Sequence, residues 1–148
     1  MHFLNHRHIQ RCTLFASLDS ASVGGSAASG LTVLDEGALN RLRELDPTGE
    51  NQLMSRVLIA FEASLTRLMP QLVQAQGTQD CVVIRHVAHT LKSSSASVGA
   101  LHLSKLCSEL EAAARALDLH GMDARINAMR AETGAVLQAL KQSLATQP

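Results

Sequence analysis

The sequence predicts an all-α protein, an antiparallel up-and-down four-helix bundle with a short extra N-terminal helix. Apolar residues make up 46% of the chain, but there is no Trp or Tyr and only three Phe, so the core must be aliphatic and alanine-rich, which favours helices. Apolar residues recur at alternating spacings of three and four in several long segments. No segment alternates apolar and polar residues with a period of two, so we predict no β-sheet.

The composition divides the chain into two parts. We predict that residues 1–30 form an N-terminal extension ending in a flexible linker, because residues 19–30 are almost all small and carry too little apolar surface to bury. Residues 31–148 suit one bundle domain with a single core. Apolar residues within 3–18 could form a short helix against the bundle or belong to a longer multidomain protein.

The first two predicted helices cover 34–45 and 50–76. The first ends before Asp46-Pro47, since the residue before a proline is disfavoured in helical conformation. The second carries a coiled-coil-like seam, and Pro70 within it should kink the helix or divide it one turn earlier. The seam consists of Met54, Leu58, Phe61, Leu65, Leu68 and Leu72.

Three further helices are predicted over 79–97, 101–117 and 122–145. Thr78 or Asp80 can cap the first of them, and Gly99 is placed to end it with a positive φ. The short connections favour antiparallel packing of neighbouring helices. The apolar seams of the last two are Leu103, Leu106, Leu110, Ala113 and Leu117, and then Ile126, Met129, Thr133, Val136 and Leu140.

A histidine lies on the face of the 79–97 helix that the core does not use. At 100° per residue, the predicted buried stripe contains Val83, Ile84, Val87, Leu91, Ser94 and Val98. His89 points about 200° away from Val87 and is therefore expected to be exposed. Its outward neighbours at helical spacing are the cations Arg85 and Lys92 and the small residues Ser93 and Ala96.

The residues His89, Leu91, Lys92 and Gly99 resemble the signature of histidine-containing phosphotransfer (HPt) domains, a His-x-Leu-Lys-Gly pattern followed by a second glycine near the helix end. Leu103, Leu106, Leu110 and Glu111 are similar to the family's next helix, and the resemblance covers approximately residues 31–144. One position departs from the pattern. Ser93 replaces the glycine after the lysine, which adds a small side chain where partner backbone is expected to come close.

The resemblance implies a phosphorelay intermediate. His89 would accept a phosphoryl group from the aspartyl phosphate of a response-regulator receiver domain and pass it to another receiver, in a relay fed by a hybrid sensor histidine kinase. Lys92 would stabilise the charge on the transferring oxygens. Expected partner contacts are Arg85, His86, Ser93, Ala96 and Gly99, although Arg85 could equally be a solubilising charge. Mg²⁺ would belong to the receiver, and we expect no cofactor in this chain.

Two other functions are also compatible with these residues. A regulatory adaptor would bind receiver domains or other partners without transferring phosphate, and Ser93 slightly favours it. A metal-binding bundle would rest on His86 and His89 alone, a poor site without a nearby carboxylate or thiolate. Glycine-rich phosphate loops and kinase signatures are absent from the sequence, so we predict no ATP site, no autokinase activity and no enzyme in that sense.

Charge and cysteine content exclude several classes. Thirteen basic and thirteen acidic residues balance, so no overall field favours nucleic acid or an anionic membrane. Three widely spaced cysteines without a Cys-x-x-Cys pair predict neither a disulfide framework nor a zinc knuckle, and indicate the cytoplasm. No apolar run approaches the roughly 20 residues that span a bilayer, and residues 1–18 lack the apolar core of a signal peptide.

Overall fold

The structure, a computed structural model, describes residues 33–146, and all regular secondary structure in that range is helical. Its helices are α1 (Glu36–Leu45), α2 (Leu53–Thr78), α3 (Cys81–Ser97), α4 (Leu101–Arg115) and α5 (Met122–Ala145). Each packs on the next, and α5 packs back onto α2, so four long helices close a bundle to which the short α1 is added. The predicted fold class is confirmed, whereas the predicted N-terminal extension lies outside the described residues.

At the start of each of the first two helices, a carboxylate accepts a hydrogen bond from a backbone N–H group. Asp35 caps α1, because its side chain accepts a hydrogen bond from the backbone N–H of Ala38 at 2.9 Å. The helix therefore starts at Glu36, slightly later than predicted. The carboxylate of Asp46 accepts from the N–H of Leu53 at 3.1 Å, and α2 starts there rather than at residue 50.

The connection between α2 and α3 is only two residues long. α2 runs through Pro70 without dividing and ends at Thr78, and its C-cap residue Gln79 adopts a left-handed conformation with φ of 54°. Asp80 then caps α3, since its side chain accepts from the N–H of Val83 at 3.2 Å. The choice left open between two caps is thus resolved in favour of the aspartate.

The core is aliphatic, as the composition predicts, and every long helix contributes to it. Two details of the predicted seams are wrong. Ser95 rather than Ser94 is fully buried on α3, because the buried face is turned toward Ile84 and away from Val83. α4 ends at Arg115, and Leu117 lies beyond it with a positive φ and 70% of its surface exposed.

Gly99 lies just after the end of α3 and has a φ of 83°, the left-handed conformation that the sequence predicts. It is buried, and its carbonyl oxygen accepts a hydrogen bond from the N–H of Asp35 at 2.8 Å. Asp35 and Ala38 cover Gly99, so the structure does not expose this residue, and its expected contact with a partner stays a prediction. No helix of residues 33–146 is long and apolar enough to cross a membrane.

Candidate functional site

α3 presents His89 to solvent because the opposite face of the helix is anchored in the core. Ile84, Val87 and Leu91 are fully buried, which fixes the rotation of α3 about its axis. The side chain of His89 is 66% exposed. Its predicted neighbours Arg85, His86, Ser93 and Ala96 are all exposed, whereas Lys92 is half-buried.

A buried carboxylate on α4 contacts the inner side of the histidine ring. Glu111 is only 4% exposed, and its Oε1 lies 2.8 Å from Nδ1 of His89. Its Oε2 accepts a hydrogen bond from Nζ of Lys92 at 2.6 Å. Nη2 of Arg115, one turn further along α4, donates to Oε1 at 3.1 Å. One carboxylate thus joins three side chains of the site.

Glu111 entered the prediction only through the resemblance and had no role assigned to it, although it contacts His89 in the structure. The missed signal lies in the helix pattern. Glu111 follows Cys107 by four residues and Leu110 by one, so it falls on the buried face of α4. A carboxylate on a buried face is rare without a partner, and the structure supplies that partner from α3.

These contacts determine the protonation state of Glu111. The pKa of Glu111 is lowered to about 2, mainly by the hydrogen bond from Lys92 and next by the one from His89, while burial acts in the opposite direction. The carboxylate is therefore ionised at neutral pH and can only accept hydrogen bonds. His89 must donate from Nδ1, which leaves the lone pair of its neutral ring on Nε2.

The backbone of the site is held by a second contact between the two helices. Oγ of Ser104 on α4 donates a hydrogen bond to the carbonyl oxygen of Lys92 at 2.8 Å. This contact lies next to the ion pair between Lys92 and Glu111. Together they tie the outward-facing turn of α3 to α4, so the histidine stands on a rigid support rather than on an isolated helix.

An open groove of about 470 Å³ between α3 and α4 borders the histidine. Arg85, His86 and Arg115 give it positive or titratable groups, and the exposed apolar residues Val82 and Leu117 also line it. A partner that reaches Nε2 of the histidine therefore meets apolar and basic surface side by side.

A buried thiol lies behind the site. Cys107 has no exposed surface, and its Sγ is 4.0 Å from Sδ of Met129. Burial raises the pKa of the Cys107 thiol to about 12, and the negative charge of Glu111 adds to this effect. The residue is a thiol of the hydrophobic core. Within residues 33–146 no cluster of three or more His, Cys, Asp or Glu residues could hold a metal ion, and Glu111 rather than His86 contacts the ring of His89.

The fold and the site together define a small helical module that carries a nucleophilic histidine on its surface. A family model described as the Hpt domain matches residues 56–145. The crystal structure of histidine-containing phosphotransfer protein B (HptB) from Pseudomonas aeruginosa PAO1 is similar, with a TM-score of 0.72 and 28% sequence identity over 80% of this chain and 100% of that chain. No curated protein sequence matches the chain significantly.

The chain therefore belongs to the Hpt domain family, and its general role is histidine phosphotransfer in a phosphorelay. Members of this family are phosphotransfer carriers rather than ATP-dependent kinases, and they interact with receiver domains and histidine kinases of the relay.

Proposed function

We propose that His89 is the phosphoacceptor and that the reacting atom is Nε2. The observation that carries this proposal is the hydrogen bond between Nδ1 of the exposed His89 and the ionised, buried Glu111. It occupies the inner nitrogen and directs the lone pair of the outer nitrogen to solvent. The neighbouring His86 is also exposed, but the structure gives it no such support.

The phosphoryl donor would be the aspartyl phosphate of a receiver domain. The lone pair of Nε2 attacks phosphorus in line, an N–P bond forms, and the P–O bond to the aspartate breaks with its electron pair leaving on the carboxylate. Transfer to a second receiver is the reverse reaction with a new aspartate. No proton needs to move on His89, because Nδ1 keeps its hydrogen throughout.

Lys92 would stabilise the negative charge of the transferring oxygens. An ammonium group has three donors, and the bond to Glu111 uses one of them, which leaves two for phosphoryl oxygens or water. The ion pair also holds the side chain against α4, so its charge is placed beside the histidine before the partner arrives.

The partner surface would be the exposed face around His89. Ser93 and Ala96 are small and leave room for the edge of a receiver active site, while Arg85 and His86 line the adjacent groove. The relay would run from a hybrid sensor histidine kinase through this carrier to a response regulator in the cytoplasm. Mg²⁺ would be held by the receiver, and this chain would need no cofactor of its own.

The test is transfer from a radiolabelled phosphorylated receiver domain to the wild type, to His89→Gln and to His86→Gln. We expect label on the wild type and on His86→Gln, stable in base and labile in acid, and none on His89→Gln. Label on His89→Gln would place the acceptor elsewhere. Binding of several receivers without label on any form would instead support the adaptor function.

A further inference from the structure

Glu111 offers the imidazole ring a full negative charge, although a neutral acceptor would be sufficient to orient it. A glutamine side chain could accept the same hydrogen bond from Nδ1 through its carbonyl oxygen. The carboxylate does more, because it also interacts with any positive charge that develops on the ring. The ring becomes positive in one state of the proposed cycle, namely after phosphorylation, when Nε2 carries the phosphoryl group and Nδ1 still carries its proton.

We infer that Glu111 holds the proton on Nδ1 of His89 after phosphorylation and thereby sets the lifetime of the phosphohistidine. The inference rests on the proposed role of His89 as phosphoacceptor. A cationic ring is the better leaving group, because the P–N bond then breaks to release neutral imidazole. A phosphorylated ring without the Nδ1 proton would have to leave as an anion. Glu111 therefore keeps the phosphoryl group in a readily transferred form.

The surroundings of the ring single out Glu111 for this role. Two helices place charged or titratable groups there: Glu111 and Arg115 from α4, and Arg85, His86 and Lys92 from α3. The carboxylate is in direct hydrogen-bond contact with Nδ1. Lys92 is bonded to the other oxygen of that carboxylate, Oε2. Glu111 is the acidic group among these neighbours and thus the one that favours a cationic ring.

Hydrolysis follows the same chemistry as transfer and gives a simple measurement. Water attacks phosphorus, the P–N bond breaks with its electron pair returning to Nε2, and inorganic phosphate is released. The rate should follow the fraction of rings that carry the Nδ1 proton. The midpoint of the pH–rate profile therefore reports how strongly the site holds that proton.

The experiment uses phosphoramidate to phosphorylate the full chain chemically, so that no receiver domain is needed. Loss of the phosphohistidine signal is followed by ³¹P NMR from pH 5 to pH 9 for the wild type, Glu111→Gln and Glu109→Gln. Glu109 is an exposed glutamate on the same helix and serves as the matched control. His89→Gln, treated identically, gives the signal that other histidines contribute.

We expect Glu111→Gln to move the midpoint down by about one pH unit or more, the effect of losing an opposite charge at contact distance. At pH values above both midpoints, this slows the loss of phosphate about tenfold. Glu109→Gln should behave as the wild type does. A side chain that only positions the ring would leave the midpoint in place, since glutamine can still accept from Nδ1.

Coincident profiles for Glu111→Gln and the wild type would overturn the inference. Failure of phosphoramidate to label His89 would also overturn it, because an accessible Nε2 is required. If Glu111→Gln does not fold, ¹⁵N NMR of the phosphorylated wild-type ring at pH 8 gives an independent answer, and a ring without its Nδ1 proton would refute the idea. The proposed function has a different failure. If no receiver labels the wild type but the pH–rate profiles of the wild type and Glu111→Gln differ, the proposed function fails and the inference about Glu111 stands.

Discussion

Gly99 and Asp35 meet so closely that no side chain fits between them. A Cβ atom on Gly99 would lie 2.8 Å from the backbone nitrogen of Asp35 and 2.9 Å from its carbonyl oxygen. The same backbone nitrogen donates the 2.8 Å hydrogen bond to Gly99. The cap of α1 and the end of the histidine-bearing helix are therefore one packed junction.

Gly99→Ala should destabilise the domain by about 1–3 kcal/mol, because alanine disfavours the positive φ and its Cβ would collide with backbone. Gly134→Ala on α5 is the control, since nothing lies within 4 Å of its Cβ and alanine favours helix. Chemical denaturation measures both. Equal free energies of unfolding for the two variants would show that a side chain fits between Gly99 and Asp35.

Leu91→Ala should lower the free energy of unfolding by about 2–5 kcal/mol, because this side chain is completely buried two residues from the histidine. Val82→Ala on the same helix removes a side chain that is 78% exposed and should change stability by less than about 0.5 kcal/mol. Urea titration of the two variants is the measurement. A negligible shift in the urea midpoint of Leu91→Ala would mean that this face of α3 is not turned toward the core.

Lys92→Ala should slow phosphotransfer about tenfold or more, since it removes a cation placed beside the reacting histidine. The fold should persist, because Glu111 keeps its contacts with His89 and Arg115. Single-turnover transfer from a labelled receiver measures the rate, and Lys141→Ala, an exposed lysine of α5, is the matched control. Unchanged kinetics would remove Lys92 from the mechanism.

Acid should destabilise the domain partly through Glu111. Its pKa falls from an ordinary value of 4.5 to about 2 on folding, so the unfolded chain binds more protons between these two values. The stabilisation is complete above about pH 4.5 and is lost as the pH falls toward 2. Denaturation between pH 6 and pH 2 should therefore show a steeper loss of stability for the wild type than for Glu111→Gln.

The matched variant Glu109→Gln should retain the steep acid dependence of the wild type. Identical pH dependence in Glu111→Gln and the wild type would contradict the role assigned to the contacts of Lys92 and His89 with the carboxylate.

The sequence predicts the helices and the exposed histidine because both depend on local periodicity. The spacing of apolar residues within α3 is enough to place His89 on the outer face. The contact between His89 and Glu111 spans 22 positions and depends on the relative register of α3 and α4, which no local pattern contains. The burial of Gly99 was missed for a similar reason, since the residues that cover it, Asp35 and Ala38, lie far away in the sequence, at the N-terminal end of α1.

The division of the site between two helices has a consequence for protein engineering. A graft of α3 alone into another scaffold would transfer the nucleophile and its lysine, but not the carboxylate that determines which nitrogen is free. The α3–α4 hairpin is the smallest transplantable unit, because it contains both halves of the contact together with the Ser104 bond that keeps them in register. Any recipient scaffold must reproduce the axial offset of these two helices.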